Sequence, residues 1–116
     1  MKGDLLRYKA EVMDPGKEQR GTAFASQQAY DDADACARVM LPVVHPTRLR
    51  NIVNLTILMH DILANKKEGI ELATKMLRTV LENYELTTDA NMVSTGMCIY
   101  NLRQNLDRWG TPFQKN

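Results

Sequence analysis

Three groups of polar residues fall at helical spacing within otherwise apolar stretches of the chain. Arg7 and Glu11 are four apart with Tyr8 beside them, and Asn54 and Asp61 are seven apart on one helix face. Asn101, Asn105 and Trp109 form an i, i+4, i+8 stripe that Met97 continues upstream. Arginine offers a planar fork for phosphate or carboxylate, and a tyrosine hydroxyl adds a donor. An asparagine amide carries both donor and acceptor, so it can hold a peptide backbone in extended form. Asparagine also gains little inside a helix and wants a partner there. Two helices offering inward amides, and one offering Arg and Tyr, would line a concave groove for an anionic peptide.

Each group also has a plainer reading. Arg7 and Glu11 could form a solvated i, i+4 pair, worth a few tenths of a kcal/mol. Asn54 could be a buried, satisfied amide, and Trp109 a core residue or helix-end plug. Spacing alone leaves these alternatives open. Catalysis and metal binding find less support. Cys36 and Cys98 have no C-x-x-C partner, and only His45 and His60 could join them, so no metal-ligand spacing arises. Free thiols are expected. No nucleophile–base pair or glycine-rich phosphate loop is visible, so no enzyme and no cofactor are expected. Asn54-Leu55-Thr56 matches a glycosylation sequon but falls inside an expected helix.

The elements that must carry these residues are helical. The chain has 116 residues, 44% hydrophobic and 25% charged, which suits one globular domain over residues 1–116. A formal net charge of +1 gives no reason to expect nucleic acid or an acidic membrane as partner. Apolar runs stop short of the ~18 residues of a membrane span. Lys2, Gly3 and Asp4 do not open a signal peptide, so a soluble, cytoplasmic protein is expected.

Periodicity predicts an all-α fold with five helices, near residues 2–13, 18–40, 46–64, 67–83 and 90–109. Asp14-Pro15-Gly16 ends the first helix. The second carries a weak apolar stripe of Phe24, Ala29, Ala33 and Cys36 or Ala37. Pro46 suits the first turn of the third, whose apolar residues cover most of its circumference and call for neighbours on several faces. Thr87-Thr88-Asp89 reads as an N-cap cluster for the fifth, and Gly110-Thr111-Pro112 as its close. Short loops imply antiparallel neighbours, and no fixed repeat is visible.

The strings themselves carry a resemblance. Met1-Lys2-Gly3-Asp4, Arg7-Tyr8 and Ala10-Glu11-Val12 resemble the fifth-helix signature of 14-3-3 proteins, and Ser26-Gln27-Gln28-Ala29-Tyr30 is similar to the next helix. His45-Pro46-Thr47-Arg48-Leu49, Val53-Asn54 and Asp61-Ile62-Leu63 resemble the block of the family's seventh helix. Leu102-Arg103, Asn105-Leu106 and Trp109 resemble its ninth. The correspondence covers nearly the whole chain in family order, as the C-terminal half of a 14-3-3 domain, with Met1 on an internal family methionine. It implies stacked antiparallel helices forming part of a concave groove, and a non-catalytic adaptor for phosphoserine or phosphothreonine segments.

By the same resemblance Arg7 and Tyr8 take the phosphate, and Asn54 and Asn105 grip the peptide main chain. Glu11, Asp61 and Trp109 match further groove positions. Val53, Ile57, Met97, Cys98 and Asn101 fall on the wall that receives peptide side chains. Asn101 stands where the family has leucine, Cys98 replaces isoleucine and Asp61 replaces glutamate, which predicts a divergent member with altered peptide preference. The family's first four helices supply its dimer interface, together with a lysine and an arginine that complete the phosphate pocket. No residue of this chain is expected to replace that pair; Lys2 is only near a groove-edge lysine. Two lost charge-assisted hydrogen bonds, at roughly 1.5–3 kcal/mol each, would weaken phosphate binding by two or more orders of magnitude. The absence of those helices also predicts exposed apolar surface on helices one and three, and self-association as a homo-oligomer. The rival expectation is a structural or oligomerising helical domain that kept the fold and lost the ligand.

Overall fold

The computed structural model describes residues 2–114. Met1, read as part of the first motif, lies outside the described residues. Five helices follow one another: α1 (Lys2–Glu11), α2 (Lys17–Met40), α3 (Pro46–Asp61), α4 (Lys66–Glu82) and α5 (Met92–Arg108). Two short 3-10 turns, Tyr84–Leu86 and Asp89–Asn91, join α4 to α5. No strand occurs among the described residues. Each helix packs on the next, and α3 also packs on α5.

The third helix is the hub, as its apolar circumference predicts. Leu49, Ile52, Leu55 and Leu58 are buried in a core with Ala10, Tyr30, Val44 and Val80, while Val53 joins Leu77, Leu102 and Leu106 in a second cluster. Close approach of α4 to α3 depends on Gly69, where a Cβ would lie 3.2 Å from the Thr56 carbonyl and 3.3 Å from the His60 backbone nitrogen. Pro46 starts α3 as expected, and His45 caps it, its Nδ1 accepting from the Thr47 N–H over 3.2 Å.

Several expectations need correction. The first helix ends at Glu11, two residues early, where the Gln19 side-chain amide donates to the Ala10 carbonyl over 3.0 Å. The third ends at Asp61, three residues early. Ile62 and Leu63 still pack on the core, and Ala64 turns the chain at φ 57°. The buried stripe of α2 is Ala23, Ser26, Tyr30 and Asp34, while Phe24 faces out. Small residues win that face because α1 lies close against it: Ser26 Oγ donates to the Gly3 carbonyl over 2.6 Å. Thr87 and Thr88 do not cap α5; a 3-10 turn intervenes and Thr87 Oγ1 finds no partner among the described residues. The far end behaves as predicted. Gly110 adopts φ 75°, with Gly110 N donating to Asp107 O and Thr111 N to Leu106 O, a Schellman close. Exposed apolar side chains occur on α1 at Leu5 and just past its end at Val12, whereas the large apolar residues of α3 are all at least half-buried.

Candidate functional site

Side chains from α1, α3 and α5 converge on two adjoining recesses of about 450 and 390 Å3. Val53, Asn54 and Asn101 line both, so they form one groove. Its first recess adds Asp4 and Tyr8 from α1, Arg50 from α3, and Met97 and Cys98 from α5. Its second adds Ile57, Asn105 and Arg108. Eight of the twelve residues singled out from the sequence therefore share this groove. Met97 and Asn101 are exposed on it, Tyr8 is half-exposed, and Cys98 lies buried behind the wall.

Arg7 stands behind Tyr8 rather than on the lining. Its side chain is buried, with Nη1 donating to Glu11 Oε1 over 2.7 Å and Nε donating to Tyr30 Oη over 3.1 Å. Its guanidinium also sits 4.7 Å from the centre of the Tyr8 ring. The i, i+4 pair with Glu11 thus exists, but one partner is buried rather than solvated. Burial works against the Arg7 charge, and Tyr30, Glu11 and Tyr8 outweigh it, so its pKa is raised. Three of its five N–H groups have no acceptor among the described residues.

The network continues through Tyr30. Its hydroxyl donates to Asp4 Oδ1 over 2.6 Å, and the same oxygen accepts from Asn54 Nδ2 over 3.0 Å. Burial, then the hydrogen bond to Asp4, push the Tyr30 pKa upward, with Arg7 opposing. A chain of contacts therefore runs Glu11, Arg7, Tyr30, Asp4, Asn54 and fixes α1 against α3. The Cys98 thiol is raised by burial, against a weaker downward pull from Arg50, which makes it a poor nucleophile.

Glu11, Asp61 and Trp109 are not on the groove lining. Asp61 is exposed, its Oδ1 2.8 Å from His60 Nδ1. Trp109 stacks on His60 with ring centroids 4.2 Å apart and planes within 9°. Asp61 and Trp109 thus meet through His60, at the C-terminal ends of α3 and α5.

Sequence reasoning missed Asp4, Tyr30, His60 and Arg50. Asp4 is three residues before Arg7 and Arg50 four before Asn54, so both share a helix face with a residue already chosen, and that signal was present. Arg50 is a cation on the groove lining that the sequence reading did not single out. Lys2 does not line either recess.

Fold and site define an all-helical protein with a polar, amide-lined groove built from three helices. The sequence model of the 14-3-3 protein family matches residues 1–110, and the chain belongs to that family. It is 28% identical over 109 residues to 14-3-3-like protein B of Vicia faba, covering 94% of this chain and 41% of that protein. It is 30% identical over 111 residues to the 14-3-3 protein of Giardia intestinalis, covering 96% and 44%. With 14-3-3 protein beta/alpha-A of Xenopus laevis the identity is 28% over 109 residues, covering 94% and 44%. The chain spans less than half the length of these curated relatives.

Proposed function

We propose that this chain binds phosphoserine- or phosphothreonine-containing protein segments along the α1–α3–α5 groove, as a non-catalytic, cytoplasmic adaptor. The observation that carries the reading is the alignment of Tyr8, Asn54 and Asn105 along one groove. Core packing alone does not require three polar side chains there. Tyr8 offers its hydroxyl to the phosphate, and Arg7 reinforces it with its remaining N–H groups. Asn54 keeps one N–H and its carbonyl lone pairs for a peptide main chain. Asn105 makes no side-chain hydrogen bond to a described residue, so its amide is free for the same task. Val53, Ile57, Met97 and Asn101 receive peptide side chains. Glu11 acts through Arg7, and Asp61 and Trp109 border the far end.

A fluorescence-anisotropy titration with a phosphoserine peptide and its unphosphorylated twin tests this. Phosphate-dependent saturation supports the reading, and identical curves would end it. Arg7→Lys, which keeps the charge but loses the fork, is expected to weaken only the phosphorylated peptide. Asn105→Ala is expected to weaken both.

A second reading draws on the exposed Leu5 of α1 and Val12 just past its end, and on the engagement of Arg7 by Glu11 and Tyr30. Here the chain is a structural helical domain that associates through α1 and has lost the ligand. Self-association without peptide discrimination would favour it.

A further inference from the structure

The charges at the first recess differ in how far they are already engaged. Arg7 is held by Glu11 and Tyr30, and Asp4 Oδ1 by Tyr30 and Asn54. Arg50 has no hydrogen bond or ion pair to any described residue, and it is exposed. Its backbone is well anchored, because its neighbours Leu49 and Asn51 are buried and Asn51 Nδ2 donates to the Tyr30 carbonyl over 3.0 Å. A fixed Cα with an unengaged guanidinium at the rim suits capture of an arriving anion.

We propose that Arg50 is a second cationic contact for the phosphate of a bound segment. The inference rests on the phosphopeptide reading and locates the phosphate between Arg50 and Tyr8, beside Asn54. Arg50 stands one turn before Asn54 on α3, so both side chains leave the same face. Tyr8 and Ser94 add hydroxyls to the same recess. The guanidinium can present two parallel N–H donors to a phosphate, and the hydroxyls complete its shell. Asp4 repels an anion placed deep in the recess, which keeps the phosphate at the rim where Arg50 stands. Arg108 is also exposed and lines the second recess, but its neighbours there are Asn105, Gln104 and Tyr100. It serves as a control of equal charge away from Tyr8.

The test is an anisotropy titration of the phosphoserine peptide and its twin against wild type, Arg50→Gln, Arg50→Lys and Arg108→Gln. Losing a charge-assisted contact is expected to weaken phosphopeptide binding about 10-fold or more in Arg50→Gln and leave the twin unchanged. Arg50→Lys should recover part of that loss, and Arg108→Gln should lose clearly less than Arg50→Gln. Phosphate discrimination in wild type that Arg50→Gln retains in full would overturn the role of Arg50 and leave the phosphopeptide reading standing. Equal weakening by Arg50→Gln and Arg108→Gln would also overturn it, since a diffuse positive field would then suffice. No discrimination in wild type would sink both.

Discussion

Asp4 and Asn54, fifty residues apart in the chain, meet between α1 and α3, where Asn54 Nδ2 donates to Asp4 Oδ1 over 3.0 Å. The bond fixes which way the Asn54 amide faces, and it places a carboxylate beside the recess proposed for an anion. Asp4→Asn keeps an oxygen that can accept from Asn54 and Tyr30, and it removes the negative charge. Two charges a few ångströms apart interact by about 1 kcal/mol when well solvated. Phosphopeptide binding by Asp4→Asn is therefore expected to tighten a few-fold, with the unphosphorylated twin unaffected. Asp4→Ala leaves the Tyr30 hydroxyl without its acceptor, and a chemical-denaturation midpoint should report a loss of about 1–3 kcal/mol.

Tyr30 is almost wholly buried, and its hydroxyl is at once acceptor from Arg7 and donor to Asp4. Tyr30→Phe leaves both groups short of a partner and is expected to cost about 1–3 kcal/mol. The pH dependence has a definite sign. Above the ordinary tyrosine value of 10.0 the unfolded side chain loses its proton while the folded one, with its raised pKa, keeps it. The unfolded state then binds fewer protons, so this contribution is complete below pH 10 and declines above it, by up to about 1.4 kcal/mol per pH unit. Denaturation of wild type and Tyr30→Phe between pH 9 and 11 should show the steeper decline in wild type. Parallel slopes would mean that the hydroxyl is not held as described.

Gly3 is buried against the same ring. A Cβ there would lie 2.8 Å from Tyr30 Cδ1 and 2.9 Å from Cε1, and a ring so enclosed has nowhere to turn. Gly3→Ala is expected to push α1 away from α2 and destabilise by about 1–3 kcal/mol, although alanine is the better helix former. An unchanged or raised thermal midpoint would show that α1 is free to shift.

The groove was more legible in the sequence than the packing that holds it. Asn54, Asn105, Val53 and Ile57 were readable because polar and apolar residues at i, i+3 and i+4 must share a face, and the family strings added roles. Arg50 obeys the same spacing relative to Asn54, but in the run Arg48-Leu49-Arg50 nothing local separates the arginine that turns inward, 3.9 Å from Asp34, from the one that reaches the groove. The face of α2 was misread because large apolar residues such as Phe24 were weighted over Ala23 and Ser26. What selects that face is how closely α1 can approach, a property of two helices together. Helix ends marked by Pro46 and Gly110 were read correctly. The end of α3 was overrun because Ile62 and Leu63 remain core residues after the helix has stopped.

Trp109 is the sole tryptophan of the chain, so its fluorescence reports directly on the stack with His60. The stack joins the C-terminal end of α5 to that of α3, and through His60 it reaches Asp61. Both helices carry groove asparagines, Asn54 and Asn105, so their far ends must hold position for the groove to keep its width. Aromatic pairs in this geometry contribute about 0.5–1.5 kcal/mol beyond area burial. His60→Ala is expected to red-shift Trp109 emission, to lower stability by about that amount, and to weaken both peptides, with phosphate discrimination intact. His60→Phe keeps a flat ring and should restore stability and emission while removing the contact to Asp61. Emission unchanged by His60→Ala would show that the indole does not rest on this ring. Loss of discrimination alone would show that the far end of the groove, and not the recess at Tyr8, holds the phosphate.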